Sequence, residues 1–405
     1  MTEPVRRPSQ TGDARRWRVL LLVGGAELLG MSLWFTATAV SDQLGAQWGL
    51  TPSQVGWLAS SVTLGFVVGT AVAALLNAAD VLPSRWYFAG SAAVAALVNA
   101  ALIVAPGFGA AIALRFATGF LLAGVYPPAM KMIATWFRQS RGLAIGTIVG
   151  ALTVGKATPY LLKALPDVGV EGVILGASAC ALVAAILISL FYRDGPFPFK
   201  RSPFNWNLVT RVVGHRETRL ATGGYLGHMW ELYAMWTWIP VFLAESARLA
   251  GVGDAAVSIA AFGAIAAGGI GCVWGGWAAD RIGRERFVIA AMAISGVCSV
   301  GIGLLLGGNF WLLVVVAWAW GFFVVADSAQ FSAIVTEVAP ADGVGTALTL
   351  QTSVGFLLST VTIQAVPPLA DSLGWPLAFP LLALGPVAGI WAIRRLQMVR
   401  RPHGG

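Results

Sequence analysis

The sequence predicts an all-α membrane protein with twelve transmembrane helices in two pseudo-symmetric six-helix bundles. Three observations support this fold class. Of the 405 residues, 57% are hydrophobic and only 11% are charged, whereas a soluble domain carries about 25% charged residues. Apolar runs of about 20 residues, long enough to cross a bilayer as a helix, recur with short loops between them. A residue pattern also repeats at an offset of about half the chain.

The apolar runs define the predicted spans. They lie at about residues 18–40, 54–78, 86–105, 109–136, 142–166, 170–192, 219–243, 255–279, 287–307, 310–335, 344–366 and 374–396. The chain then divides into an N-terminal tail (1–17), a first bundle (18–192), a linker (193–218), a second bundle (219–396) and a C-terminal tail (397–405). The linker is basic and proline-rich, which is typical of an exposed connection, and its residues 206–213 fit a short amphipathic helix at the membrane surface.

Basic residues are concentrated in alternate loops. With the N-terminus in the cytoplasm, the outward-facing loops carry only Lys163 and Arg248, and the remaining basic loop residues are cytoplasmic. Because basic loops stay inside, we expect both termini to be cytoplasmic. No single face collects the basic residues, so the net charge of +8 does not indicate a nucleic-acid partner.

Three short patterns in the first bundle recur in the second. Their positions are 27–34 and 231–238 (Glu, Leu, Met and Trp at equal spacing, offset 204), Asp80 and Asp280 (offset 200), and 153–155 and 353–355 (offset 200). Nearly equal offsets indicate two halves related by an axis along the membrane normal.

A short charged loop between the eighth and ninth predicted spans carries a recognisable motif. The pattern Gly276-x-x-x-Asp280-Arg281-x-Gly283-Arg284 resembles the signature loop of the major facilitator superfamily of secondary transporters. A degenerate copy follows the second span, where Asp80 and Arg85 remain. The resemblance implies that these residues gate the cytoplasmic side: Asp80, Arg85, Gly276, Asp280, Arg281, Gly283 and Arg284.

Two further segments carry the resemblance. Arg115-Phe-Ala-Thr-Gly119 in the fourth span is similar to a second motif of the family, and residues 124–146 faintly resemble bacterial nitrate/nitrite and cyanate porters. The resemblance implies a multi-pass protein of the bacterial inner (cytoplasmic) membrane, which we expect to act as a monomer.

Several ionisable residues lie within predicted spans, where each costs at least about 2.5–3.5 kcal/mol unless it has a partner or a watery cavity. They are Glu27, Arg115, Lys156, His228, Glu231 and Asp327. At 1.5 Å per residue, Glu27, Glu231 and Lys156 lie roughly 14, 18 and 21 Å from the cytoplasmic ends of their spans. All three approach the midplane, where transporters of this kind bind solutes.

Lys156 is the central candidate for substrate binding, because its ammonium group can pair with an anion. The alternative is a structural salt bridge to Glu27 in the same bundle. Tyr233 and Trp238 offer a stacking surface for an organic solute, and Tyr126 and Gln330 complete the predicted substrate-binding set.

Glu27 and Glu231 are the main candidates for proton coupling, because a carboxyl buried away from water can take up and release a proton near neutral pH. Asp327 and Arg115 join this set. For each residue the alternative is a structural bond, such as one between Glu231 and His228 or a helix-packing bridge for Arg115.

We therefore predict secondary transport of a small solute by alternating access, with an organic or inorganic anion as solute and protons as coupling ion. The spans 54–78 and 255–279 contain no Lys or Arg, which disfavours nitrate, since the nitrate porters of the family carry an Arg there. A proton-coupled drug or metabolite exporter is the alternative, although Lys156 stands where drug antiporters of the family carry Pro. A receptor or scaffold is more distant.

Enzymatic activity is not expected. The sequence has no Gly-rich loop ending in Lys-Ser/Thr, no His-Glu-x-x-His and no Gly-x-Ser-x-Gly, the patterns of nucleotide-driven pumps, zinc proteases and serine hydrolases. Cys180, Cys272 and Cys298 lie within apolar runs without metal-ligand spacing. We therefore expect no cofactor and no metal.

Overall fold

The computed structural model describes residues 10–76, 78–138, 140–197 and 206–400. Within these ranges all regular structure is helical, which confirms the predicted all-α class. Helices of eight residues or more in the first half are α1 (Gln10–Met31), α2 (Ser41–Trp48), α3 (Pro52–Leu75), α4 (Ser84–Ala100), α5 (Phe108–Leu122), α6 (Tyr126–Ala134), α7 (Arg141–Lys163) and α8 (Val170–Phe191).

The second half begins with a short helix in the predicted linker. Its helices are α9 (Trp206–Gly214), α10 (Arg216–Ala250), α11 (Asp254–Ile282), α12 (Arg284–Gly301), α13 (Phe310–Ala326), α14 (Ser328–Val338), α15 (Val344–Leu373) and α16 (Leu384–Arg400). Short turns of helix extend several of them, at Thr36–Ala39, Ala101–Val104, Ile302–Leu305 and Phe379–Ala383.

Each predicted span corresponds to one of these helices or to a consecutive pair. Among the described residues, ten spans are long and apolar enough to cross a membrane. The other two are α1 and α10, of 22 and 35 residues, which carry the charged residues Glu27 and Glu231. Both helices are less apolar than the other ten, since α1 also carries Arg15, Arg16 and Arg18 and α10 also carries His228.

Three predicted spans are interrupted. The first breaks between Met31 and Thr36, the fourth breaks between α5 and α6, and the tenth breaks at Asp327 between α13 and α14. Two prolines, Pro127 and Pro128, lie in the first turn of α6, where a missing N–H is tolerated, but they cannot continue the hydrogen-bond ladder of α5. Such breaks free backbone groups that side chains or ligands can bind.

The helices pack as two bundles that meet along two contacts. In the first half α1 packs on α7 and α8, and α3 packs on α5. In the second half α10 packs on α15 and α16, and α11 packs on α13. The halves meet where α7 packs on α11 and where α3 packs on α15. At the first contact a Cβ on Gly150 would lie 2.9 Å from the Gly269 carbonyl oxygen, so the two helix backbones touch almost directly, as small residues permit.

The linker helix α9 is held against the second half. Its Arg211 Nη1 lies 2.7 Å from Asp342 Oδ2, and Val212 is buried. Residues 198–205 of the predicted linker lie outside the described residues.

The family-like motif that begins at Arg115 also includes a packing glycine, which gives a test of the fold. Gly119 on α5 faces α3 so closely that an added Cβ would overlap the carbonyl oxygen of Val62. Gly119→Ala should therefore lower the free energy of unfolding by about 1–3 kcal/mol through overpacking. Thermal unfolding in detergent measures the change.

Gly109→Ala on the same helix is the matched control, because an added Cβ there meets no atom within 4 Å. Equal melting temperatures for the two variants would contradict the described contact between α3 and α5.

Candidate functional site

The break in the first span is held by Arg115. This fully buried side chain donates from Nη1 to Asn99 Oδ1 at 2.9 Å, and from Nη2 to the carbonyl oxygens of Leu33, at 3.0 Å, and of Trp34. Carbonyl groups at a broken helix lack partners, and the guanidinium supplies them. Its contacts are those of a residue that fixes the break and thereby the position of Trp34.

Lys156 on α7 lies in an aromatic cage built by both halves. Its Nζ is 3.9 Å from the ring centroid of Trp34, 4.6 Å from that of Tyr233 and 5.3 Å from that of Trp236, and it donates to the Tyr233 hydroxyl. Ring faces attract a cation, and more strongly when the site excludes water. We call Trp34, Tyr233 and Trp236 the Lys156 cage; Trp34 comes from the first half and the other two rings come from α10.

Two phenylalanines close the cage from the side of α3 and α15. Phe66 and Phe356 lie 5.0 Å apart between ring centroids, and Phe356 is 5.9 Å from Trp34 and 5.1 Å from Tyr233. Position 356 is the repeat counterpart of position 156. The repeat thus brings a cation from one half and an apolar ring from the other to the same place.

Glu27 lies near Lys156 without bonding to it. The two groups act on each other electrostatically, and Glu27 also acts on Tyr126. The Glu27 side chain is fully buried, and neither carboxyl oxygen has a hydrogen-bond partner among the described residues. The salt bridge considered as an alternative is not formed in this structure, because the ammonium group of Lys156 contacts Tyr233 instead.

Unpartnered polar groups surround the cage. The indole N–H groups of Trp34 and Trp236 also lack acceptors among the described residues. Buried polar groups are nearly always satisfied in native proteins, so a cluster of unsatisfied donors and acceptors around one ammonium group is a candidate ligand site.

The two halves are joined on the side predicted to face outward. Ser53 on α3 donates to Gln364 Oε1 on α15 at 3.1 Å, and Gln364 Nε2 donates to Ser60 Oγ at 3.2 Å. Trp238 is part of this region, since its indole donates to the Ile363 carbonyl oxygen at 2.9 Å. Trp238 therefore packs beside the contact between Ser53, Ser60 and Gln364, and it does not belong to the Lys156 cage.

Glu231, Asp327 and Gln330 lie elsewhere, inside the second half. Glu231 accepts a 2.7 Å hydrogen bond from the Trp320 indole, and Asp327 Oδ1 lies 2.9 Å from His228 Nδ1. Gln330 accepts a 3.4 Å bond from Arg284 Nη1. The structure therefore brings Lys156, Tyr233, Glu27 and Tyr126 together and places the other predicted residues apart from them.

The predicted gating loop forms a set of ion pairs beyond the end of α11. Arg284 lies 3.0 Å from Glu337 on α14 and 3.8 Å from Asp280, while Arg281 stacks over Trp277 at 3.6 Å. Gly283 has a φ of 90°, which only glycine adopts without strain, and this allows the tight turn into α12. A Cβ added at Gly276 would meet no described atom within 4 Å.

The copy of the gating loop in the first half makes fewer described contacts than the loop in the second half. Arg85 stacks over Trp86 at 4.6 Å and donates to the Ser189 carbonyl oxygen. The side chain of Asp80 lies outside the described residues. In the part of the chain that the structure describes, no group of three His, Cys, Asp or Glu residues is placed to hold a metal ion.

The chain is similar to known proteins both in sequence and in fold. A family model described as Major Facilitator Superfamily matches residues 22–363. The fold is similar to the crystal structure of a bacterial homologue of the human lysosomal transporter Spinster, in an inward-facing and unoccupied conformation. The TM-score is 0.67, the sequence identity is 16%, and the match covers 96% of each chain. No curated protein sequence matches this chain.

The contacts of Arg115 predict a loss of stability on a conservative change. Arg115→Lys keeps the charge but cannot reach Asn99 and two carbonyl groups at once. Since hydrogen bonds to charged groups contribute about 1.5–3 kcal/mol each, we expect a loss of at least about 1.5 kcal/mol in thermal unfolding. Arg85→Lys is the control, because Arg85 is less buried and bonds one carbonyl group. Equal stability of both variants would rule out the bracing role of Arg115.

Proposed function

Because the chain belongs to the Major Facilitator Superfamily of secondary transporters, we propose that it moves a small organic anion across the membrane together with protons. We place it in the bacterial cytoplasmic membrane, and the distribution of basic loop residues supports an orientation with both termini inside. The site is complete within one chain, which supports action as a monomer.

The single observation that carries the anion assignment is the environment of Lys156. Its ammonium group is buried, and among the described residues it contacts a hydroxyl and ring faces but forms no ion pair. A buried charge of this kind is costly until an opposite charge arrives. A carboxylate at the cage would accept from Lys156 and from the free indole N–H groups of Trp34 and Trp236, and bonds between charged partners are short and strong.

The rings around the cage favour an organic rather than an inorganic anion. Phe66 and Phe356 supply apolar walls and no hydrogen-bond donors, so they suit the hydrocarbon part of a solute. An aromatic or aliphatic monocarboxylate combines one negative charge with such a surface.

Glu27 provides a physical route for coupling. An ionised Glu27 would neutralise Lys156 and repel a bound anion, whereas a protonated Glu27 would do neither. The substrate anion and the proton therefore each favour binding of the other, and this coupling is reciprocal by thermodynamic necessity. The proposal is thus symport of anion and proton in the same direction.

The cage is built from both halves of the chain, and this supports a transport cycle of alternating access. Lys156 and Trp34 belong to one half, and Tyr233, Trp236 and Phe356 belong to the other. Opening the outer side separates Ser53 and Ser60 from Gln364, pulls the cage apart and exposes Lys156 to the outer solution. Binding of an anion would then replace the contacts that the ammonium group has lost.

A second candidate, export of an organic cation, is favoured by one feature of the same site. An aromatic cage beside an unpartnered carboxyl group is also what an amine would require, with Lys156 occupying the cage in the empty protein. A pair of ligands with the same ring and opposite charge distinguishes the two candidates.

Lys156→Met should remove anion binding. The wild-type protein should be stabilised by benzoate, because a ligand that binds only the folded state raises the melting temperature by mass action, and benzylamine should have no effect. Loss of a charge-assisted pair worth about 1.5–3 kcal/mol should weaken benzoate binding about 10- to 150-fold. A thermal-shift titration measures both ligands.

Lys163→Met is the control on the same helix, because Lys163 pairs with Asp42 in a solvated ion pair. Stabilisation by benzylamine with no response to benzoate would support the cation exporter and reject the anion proposal.

Glu27→Gln should make anion binding independent of pH. In the wild type, binding takes up a proton at Glu27, so benzoate affinity should fall as the pH rises through the range in which this carboxyl ionises in the free protein. Glutamine mimics the protonated carboxyl, so the variant should bind at all pH values as the wild type does at low pH. Calorimetric titrations over a pH series measure this.

Glu245→Gln is the matched control for that series, because Glu245 forms a surface ion pair with Arg248. An unchanged pH dependence in the Glu27 variant would show that the proton binds elsewhere.

A further inference from the structure

A second group of buried ionisable residues lies inside the second half, outside the site described above. His228 on α10 and Asp327 at the break between α13 and α14 are both almost fully buried, with Nδ1 and Oδ1 2.9 Å apart. The other ring nitrogen, His228 Nε2, has no partner among the described residues. An imidazole bonded through one nitrogen and free at the other is suited to gain and lose a proton.

This pair lies on a different face of α10 from the Tyr233 ring of the Lys156 cage. His228 and Tyr233 are five residues apart, which corresponds to about 7.5 Å along the helix and about 140° around it. Glu231 lies about 60° from His228 around the helix, and it acts electrostatically on Asp327. We call His228, Asp327 and Glu231 the second-half acid cluster.

The surroundings of the cluster supply no fixed cation. Glu231 on α10 is bonded to the Trp320 indole, and Cys272 on α11 lies within electrostatic range of Asp327. The rings of Tyr225 and Phe331 lie 6.0 and 5.4 Å from the His228 ring. Among the described residues, neither carboxyl group forms an ion pair with Lys or Arg.

Charge balance therefore requires the cluster to hold protons. With both carboxyl groups ionised and the imidazole neutral, the interior would carry two uncompensated negative charges, at a cost of several kcal/mol. Protonation of His228 or of a carboxyl group removes one of them. The acid cluster is thus a place where a proton binds because of the geometry of α10, α13 and α14.

One face of α14 connects the cluster to the gating loop. Gln330 follows Asp327 by one turn and accepts a bond from Arg284 Nη1, and Arg284 in turn contacts Glu337 near the end of α14. These polar groups line the helix from the buried pair to the predicted cytoplasmic surface.

We infer that the His228–Asp327 pair is a second proton-binding site, separate from Glu27. This inference makes His228 a proton-binding residue. The sequence alone indicated it only as a structural partner of Glu231. The inference rests on the proton coupling proposed above, and it assigns part of that coupling to the second half. Transport then involves protons at two places, one in each half.

The ligand of this site is the proton, which allows a direct test. The chain contains three histidines, at positions 215, 228 and 403. Isotope labelling of histidine therefore gives three ring signals by nuclear magnetic resonance, and the variant His215→Asn/His403→Asn retains only that of His228. The inference predicts that this ring changes between its neutral and protonated forms within the pH range in which the protein stays folded.

Asp327→Asn should change the response of the His228 ring to pH, and Glu337→Gln, near the solvated end of α14, should leave that response unchanged. A His228 ring that remains in one protonation state throughout, or one that is insensitive to Asp327→Asn, would overturn the inference. The double histidine variant does not alter the cluster, so the first result does not depend on a variant that fails to fold.

A transport measurement separates failure of this site from failure of the proposed function. Proteoliposomes with an imposed pH gradient should accumulate benzenesulfonate, a permanently charged anion, and His228→Asn should lower that accumulation at least about threefold while retaining exchange at equal pH. Proton-driven accumulation that is unchanged in His228→Asn would overturn the inference alone. Absence of proton-driven accumulation in the wild type would contradict the proposed coupling, and the resonance titration would still decide whether His228 binds a proton.

Discussion

The cost of holding a charge inside a bilayer is the constraint on which the rest of this structure depends. Lys156 meets that cost with ring faces and one hydroxyl, and those groups come from both halves of the chain. The ammonium group therefore has all of these partners only while the two halves are together at the cage. Any motion that opens that side must supply another partner, and an anionic solute is the partner that the proposed cycle provides.

Breaks in the helices place the other polar groups. Arg115 satisfies the carbonyl groups freed at the break after α1, and Asp327 sits at the break between α13 and α14. The two halves have similar helices but use them differently. In the first half the carboxyl of Glu27 faces Lys156 without a bond, whereas in the second half Glu231 is bonded to Trp320. In the proposed cycle, this asymmetry leaves one half to bind the solute and gives the other a separate place for a proton.

Composition, span length and charge distribution were sufficient to predict the fold class, because the bilayer imposes them on any sequence that crosses it. Counting residues along a helix also predicted that Lys156 and Glu27 lie deep in their spans, and both side chains are buried in the structure. The partners of these two residues could not be predicted in this way. Phe356 meets Trp34 and Phe66 across the two halves, and no local pattern encodes a contact between helices almost 300 residues apart. The pairing of His228 with Asp327 was missed for the same reason, since the sequence placed His228 beside Glu231 on one helix but gave no orientation for α14. Trp238 and Gln330 were assigned to the substrate site on residue type and depth alone, whereas in the structure they bond to Ile363 and Arg284, away from Lys156.

The central claim is that anion and proton bind cooperatively because both act on Lys156. The most direct measurement is the proton movement that an anion gradient alone produces. Proteoliposomes loaded with a pH-sensitive dye receive an inward gradient of benzenesulfonate, which does not cross the bilayer as a neutral acid, with no initial pH difference. The account predicts acidification of the interior that requires the protein and is absent from protein-free vesicles. Entry of the anion with no change in internal pH would contradict it.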